Sequence, residues 1–203
     1  PSSATFNESE DYVEYLEDIY VGYRYFETIP GAAARVNYPF GYGLSYTTFA
    51  ITEQTLSLFH DTVEMSALVT NTGHFSGKEV LQAYYNAPQG KLGKPAKVLA
   101  AFHKTALLAP GESERIVLTF PVTQMASYDD LGAITASSYI LEKGNYHFYL
   151  GTSVRDVHAF SDTWDLAEDW IVQTLRRRVA PTQLKKRMRS DGTFEELPTA
   201  PQE

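Results

Sequence analysis

Pro39-Phe40-Gly41-Tyr42-Gly43-Leu44-Ser45-Tyr46-Thr47-Thr48-Phe49 decides how the rest of the chain is read. Two glycines alternate with aromatic and apolar residues, and the pattern then turns into a strand. Glycine permits backbone dihedrals and close approaches that other residues resist. The neighbouring rings offer large apolar area to bury. The stretch therefore reads as a tight, packed turn between two structural units.

Downstream of it, residues 46–165 read as many short strands separated by turn signals. Thr48–Leu58 supplies the first. Val63, Met65, Ala67 and Val69 alternate with polar neighbours, the period of a half-buried strand, and Asn71-Thr72-Gly73 closes it. Val80–Tyr85 and Val98–Phe102 are further strands. Ala109-Pro110-Gly111-Glu112 is a turn signal, after which Ile116, Leu118 and Phe120 alternate with Arg115, Val117 and Thr119. Ser138–Leu141 and Tyr146–Leu150 flank Glu142-Lys143-Gly144-Asn145 and read as a hairpin. About seven strands over roughly 100 residues predict a mainly β protein, an immunoglobulin- or fibronectin-III-like sandwich.

Upstream, residues 1–45 hold seven acids and two arginines, with too few apolar residues to fold alone. Phe6–Tyr15 reads as irregular to extended, and Asp18 as the N-cap of a short helix over Ile19–Thr28 ended by Pro30-Gly31. Beyond the strands, residues 166–203 read as a linker or docking arm. In that arm Trp170, Ile171, Thr174 and Leu175 suggest a short helix, and two basic runs flank Pro181.

The composition excludes several function classes. The formal charge of -8 argues against a nucleic-acid role. Without cysteine there is no disulfide framework and no thiolate metal site, which fits a reducing, cytoplasmic setting. No apolar run approaches the ~20 residues of a membrane span. The start at Pro1-Ser2-Ser3 suggests a piece of a longer protein.

Together, Tyr20-Val21-Gly22-Tyr23-Arg24-Tyr25-Phe26 and Pro39–Phe49 resemble the end of the second domain of family-3 glycoside hydrolases, the β-glucosidases. Asn71-Thr72-Gly73 with Gly77, Gln82-Ala83-Tyr84-Tyr85, Leu108 with Pro110-Gly111, and Gly144 through Gly151 extend the likeness into that family's fibronectin-III-like domain. The resemblance implies three parts: 1–45, the terminal segment of an α/β sandwich domain; 46–165, the fibronectin-III-like domain; and 166–203, a connector. Leu184-Lys185-Lys186-Arg187-Met188 and Asp191–Pro198 look like the connector of the subgroup in which the catalytic barrel follows. The implied partners are the barrel and sandwich domains of the same polypeptide. A β-glucoside would be met only through the parent enzyme. No cofactor is implied.

Retaining glycoside hydrolysis needs two carboxyl groups about 5–5.5 Å apart. The resemblance places the nucleophile on the barrel and the acid/base upstream of the aromatic motif. No residue from Pro1 onward matches either, so no catalytic, cofactor or metal residue is assigned. Glu14 and Glu17 could form an acid pair but read as a solvated face. His60, His74, His103, His147 and His158 lack metal-ligand spacing. Asn7-Glu8-Ser9 matches a glycosylation acceptor, a triplet common by chance. Arg24, among Tyr20, Tyr23 and Tyr25, reads as a clamp between the N-terminal segment and the sandwich. The alternative function is a carbohydrate-binding module with exposed tyrosines stacking on sugar; a free-standing adhesion sandwich fits the aromatic motif poorly.

Overall fold

The computed structural model describes residues 5–8, 10–176 and 184–198. In chain order the elements are β1 (Phe6–Glu8), β2 (Val13–Tyr15), α1 (Tyr23–Thr28), a 3-10 turn (Ala32–Arg35), β3 (Phe49–Phe59), β4 (Thr62–Asn71), β5 (Val80–Asn86), β6 (Val98–Lys104) and β7 (Ser113–Pro121). A second 3-10 turn (Val122–Met125) precedes β8 (Ser127–Asp129), β9 (Ser138–Leu141), β10 (Gly144–Gly151), β11 (Val157–Leu166), β12 (Trp170–Thr174), β13 (Lys186–Met188) and β14 (Phe194–Glu196).

Seven of these strands build the sandwich. One sheet runs β3-β4-β7 and the other β11-β10-β5-β6, each antiparallel throughout. The expected alternation decides which faces meet. Val63, Met65, Ala67 and Val69 of β4 and Ile116, Leu118 and Phe120 of β7 point inward. Leu81, Ala83 and Tyr85 of β5 and Tyr146, Phe148 and Leu150 of β10 meet them from the other sheet. A period-2 pattern places a whole row on one face, so these sequences can pack in one register only.

Three elements differ from the sequence reading. The Glu142–Asn145 stretch is not a hairpin turn: β9 pairs with β8 and β12, whereas β10 pairs with β5 and β11. A strand-turn-strand pattern fixes local extension but not the partner, and here the chain crosses between sheets as Glu142 dives inward. Trp170–Thr174 is a strand and not a helix, because it completes the sheet beside β9; pairing overrides local propensity. It lies within the stretch read as a connector. The N-terminal helix is shorter than expected, Tyr23–Thr28, and Gly22 stands at its N-cap without a side-chain bond. Asp18 cannot cap it, since it sits in a left-handed turn at φ 51° and its carboxylate faces Arg187 at 3.8 Å.

The core phenols give a pH prediction. Burial pushes Tyr85 up to about 12, and it pushes Tyr84 and Tyr146 further up. An unfolded tyrosine loses its proton near pH 10 while these stay protonated in the fold. Above that pH the folded state holds more protons, so these three groups make stability fall as pH rises. In an alkaline titration followed by phenolate absorbance, they should ionise only as circular dichroism reports unfolding. Their ionisation ahead of unfolding would contradict the packing.

Candidate interdomain face

The N-terminal segment is fastened to one end of the sandwich by contacts that the sequence spacing does not announce. The Tyr23 hydroxyl accepts from the Leu99 amide at 2.9 Å, and Thr28 Oγ1 accepts from the Ala96 amide at 2.8 Å. The Tyr23 ring stacks on Phe40, centroids 4.6 Å apart, and meets Tyr84 edge-on. The Val154 amide donates to the Phe40 carbonyl. Arg155 reaches from the β10–β11 turn to Glu27 at 2.8 Å and to the Ala33 carbonyl at 3.0 Å.

Gly41 shows why the joint needs glycine. Its φ is +88°, and a Cβ there would lie 2.6 Å from Gln82 Nε2 and 2.9 Å from Ser153 Cα. Backbone and volume both exclude a side chain. On both sides of it the aromatic run is exposed: Tyr38 is 70%, Leu44 90% and Tyr46 96% exposed, with Phe40 and Tyr42 also exposed. Tyr12, Val13, Tyr15 and Val21 add exposed apolar area on the same N-terminal segment. Large exposed apolar groups of this kind mark an interaction surface.

The tail returns to this end. β13 and β14 pair as a hairpin, and the Met188 amide donates to the Leu16 carbonyl at 2.7 Å. Arg187 contacts Glu195 at 2.6 Å, Asp130 at 3.0 Å and Asp18 at 3.8 Å. One guanidinium thus ties the N-terminal segment, the β8–β9 loop and the tail. Burial opposes the charge on Glu195, yet the Arg187 hydrogen bond and charge hold that carboxyl below its usual range. Asp18 moves the other way, raised chiefly by burial.

Arg24, expected to be the clamp, makes no ion pair or ring stack among the described residues. It lines a cavity of about 420 Å³ with Tyr85, Val98 and Leu99. The clamping role belongs to Arg155 and Arg187. Glu14 and Glu17 part company as well: Glu17 is not on a solvated face but buried, at 3% exposure, because the turn after β2 folds it under Tyr20 and the helix. His103 lies 3.8 Å from Glu114, His158 packs on Phe160, and His147 faces outward on β10. Among the described residues no group of three or more His, Cys, Asp or Glu could hold a metal ion, and no helix is long and apolar enough to cross a membrane. Ser9 of the acceptor triplet, Arg177, Arg178 and Pro181 lie outside the described residues.

Two buried carboxylates were not singled out by the sequence reading. Asp129 accepts four backbone amides, from Gly132, Ala133, Ile134 and Thr135, at 2.7–3.0 Å. Burial disfavours its charge, but these donors outweigh burial and hold the carboxyl low. Glu142 is paired with Lys94 at 2.6 Å and also accepts the Lys91 and Leu92 amides. Both carboxylates are spent on holding loops. Tyr128 and Tyr139 sit together on β8 and β9, but their rings are tilted 53° apart and offer no flat platform for a sugar.

The profile of the fibronectin type III-like domain matches residues 79–154. The chain is 53% identical over 213 residues to beta-glucosidase A of Butyrivibrio fibrisolvens, covering 98% of this chain and 26% of that protein. It is 43% identical to a beta-glucosidase of Ruminococcus albus, covering 93% and 19%. Among solved structures, a beta-glucosidase from Paenibacillus barengoltzii superposes with a TM-score of 0.87 at 46% identity, covering 99% of this chain and 23% of that one. The GH3 beta-glucosidase of Bifidobacterium adolescentis gives 0.72 at 30% identity, covering 89% and 26%. The chain thus spans about a fifth to a quarter of the length of these relatives.

Proposed function

The chain is related to family-3 β-glucosidases over the stretch that carries their fibronectin type III-like domain, and from that premise we propose that it is the non-catalytic, interdomain part of a retaining enzyme that removes terminal β-D-glucosyl residues. In this reading residues 1–45 end the α/β sandwich domain, 46–165 form the fibronectin-III-like body and 166–203 connect to a following barrel in the reversed order. The enzyme works in the cytoplasm, for which the absence of cysteine is the support. The observation that carries the proposal is the exposed aromatic joint, Tyr38 to Tyr46, beside a segment stitched rigidly to the sandwich. Such a face is built to be covered. It gives the neighbouring domains a fixed seat and so sets their relative position.

The test compares two proteins. The 203-residue chain should release no phenol from an aryl β-glucoside, whereas the full-length polypeptide should do so. Titration calorimetry of the chain with gluco-oligosaccharides should show no heat of binding. Turnover by the chain alone would overturn the non-catalytic assignment, and binding at millimolar affinity or tighter would favour a carbohydrate-binding module.

A further inference from the structure

Glu17 is buried with both carboxylate oxygens closed off from solvent and without a hydrogen-bond partner among the described residues. It is one wall of a cavity of about 270 Å³ whose other walls are Thr5, Tyr20, Gly22, Tyr25, Phe26 and Arg35. The other buried carboxylates among the described residues are satisfied: Asp129 by four amides, Glu142 by a lysine and two amides. An ionised carboxylate taken out of water without a donor is strongly unfavourable, so folds do not keep one idle. Arg35 lines the same cavity yet makes no ion pair with Glu17.

The surroundings specify what completes the site. From Thr5 to Tyr23 the chain carries Glu8, Glu10, Asp11, Glu14, Glu17 and Asp18 and not one lysine or arginine. Among the described residues Arg35 is the one cationic residue on the cavity wall, and it leaves both Glu17 oxygens without a donor, so a further basic group is what the carboxylate lacks. Three of its seven lining residues, Tyr20, Tyr25 and Phe26, are aromatic, which suits the apolar stem and charged head of a long basic side chain. The cavity lies on the same N-terminal segment as exposed Tyr15 and Val21.

We propose that Glu17 is the floor of an interdomain socket that receives a lysine or arginine side chain from the neighbouring domain of the parent polypeptide. This rests on the interdomain reading above and names the chemistry of the contact. Docking supplies the missing donor, and Glu17 in turn makes that docking selective for a basic residue. The joint at Tyr38–Tyr46 supplies apolar area, and the socket supplies register.

The experiment compares Glu17→Gln in two settings. In the full-length polypeptide the variant should lower the unfolding midpoint by about 4 °C or more, since an ion pair is lost. In the 203-residue chain alone the midpoint should stay level or rise, because an unpaired buried charge is removed. An equal loss in both settings would overturn the proposal and make Glu17 an internal structural residue. A photo-crosslinker placed at Tyr25 in the full-length polypeptide provides an independent readout. It should capture a peptide outside residues 1–203 that carries a lysine or arginine; capture only of the Arg35 peptide, or of a second copy, would overturn it. Aryl-glucoside turnover by the wild-type full-length polypeptide is measured alongside, so failure of the enzymatic reading is seen separately from failure of the socket.

Discussion

Replacing Asn71 by alanine is expected to cost about 3–5 kcal/mol of unfolding free energy, because one amide ends four hydrogen bonds in a dry site. Asn71 is fully buried at the end of β4. Its Nδ2 donates to the carbonyls of Phe75 and Leu108, each at 2.8 Å. Its Oδ1 accepts from Thr47 Oγ1 at 2.6 Å and from the Gly73 amide at 3.1 Å. The side chain thereby joins the start of β3, the turn after β4 and the loop before β7. Alanine takes a donor from the Leu108 carbonyl, which keeps only the Gly77 amide, and removes the side-chain partners of the Phe75 carbonyl, the Thr47 hydroxyl and the Gly73 amide; each unmet buried group costs about 1–3 kcal/mol before relaxation. Gly73 tightens the same place: a Cβ there would lie 2.2 Å from Thr47 Oγ1 and 2.7 Å from the Thr48 amide. Urea unfolding should show the midpoint falling with an unchanged slope. Asn71→Asp keeps the acceptor and loses both donors, so its midpoint should fall between the two. A loss below about 1 kcal/mol for alanine would mean that water enters and replaces the amide.

Asn71 also shows where sequence reading stops. Asn71-Thr72-Gly73 was legible as the end of a strand, since those residues favour turns. That the amide would reach Leu108, 37 positions on, was not. The sandwich itself was readable because alternation at 63–69 and 116–120 assigns faces without knowing partners. The helix expected at Trp170 and the hairpin expected at Glu142–Asn145 both needed a partner to be known. β12 and β9 are separated in sequence by all of β10 and β11, and no local pattern announces their pairing. One signal was available for Glu142. Ser138, Ile140 and Glu142 share one parity, and the first two are buried, so the third was on course for the interior. At the interdomain face, the aromatic run was conspicuous in the sequence, whereas the burial of Glu17 was not. An acid at i+3 from another acid resembles a solvated face until a turn carries it under a neighbouring ring.

The buried ion pair should be the second most sensitive point, with Lys94→Met expected to cost about 3–5 kcal/mol. Lys94 and Glu142 lie 2.6 Å apart with side chains 3% and 4% exposed. Burial pulls the lysine below its ordinary value, and the carboxylate beside it resists that pull without overcoming it. The pair is thus no great source of net stability, since two desolvated charges repay little more than they cost. Removing one partner is a different matter. Methionine fills the lysine's volume but strands the Glu142 carboxylate, which retains only the Lys91 and Leu92 amides. The loop over Gln89–Lys94 is anchored there, and a Cβ on Gly90 would lie 2.2 Å from Glu142 Oε1, so the loop backbone packs directly against the carboxylate. The double variant Lys94→Met, Glu142→Gln removes the stranded charge while an amide oxygen still accepts from the backbone. It should recover about half of the loss, giving a coupling of about 1–3 kcal/mol in a double-mutant cycle. If the double variant is instead as unstable as the sum of its parts, the two groups act independently. The loop's position would then depend on the backbone amides at Glu142 and not on the ion pair.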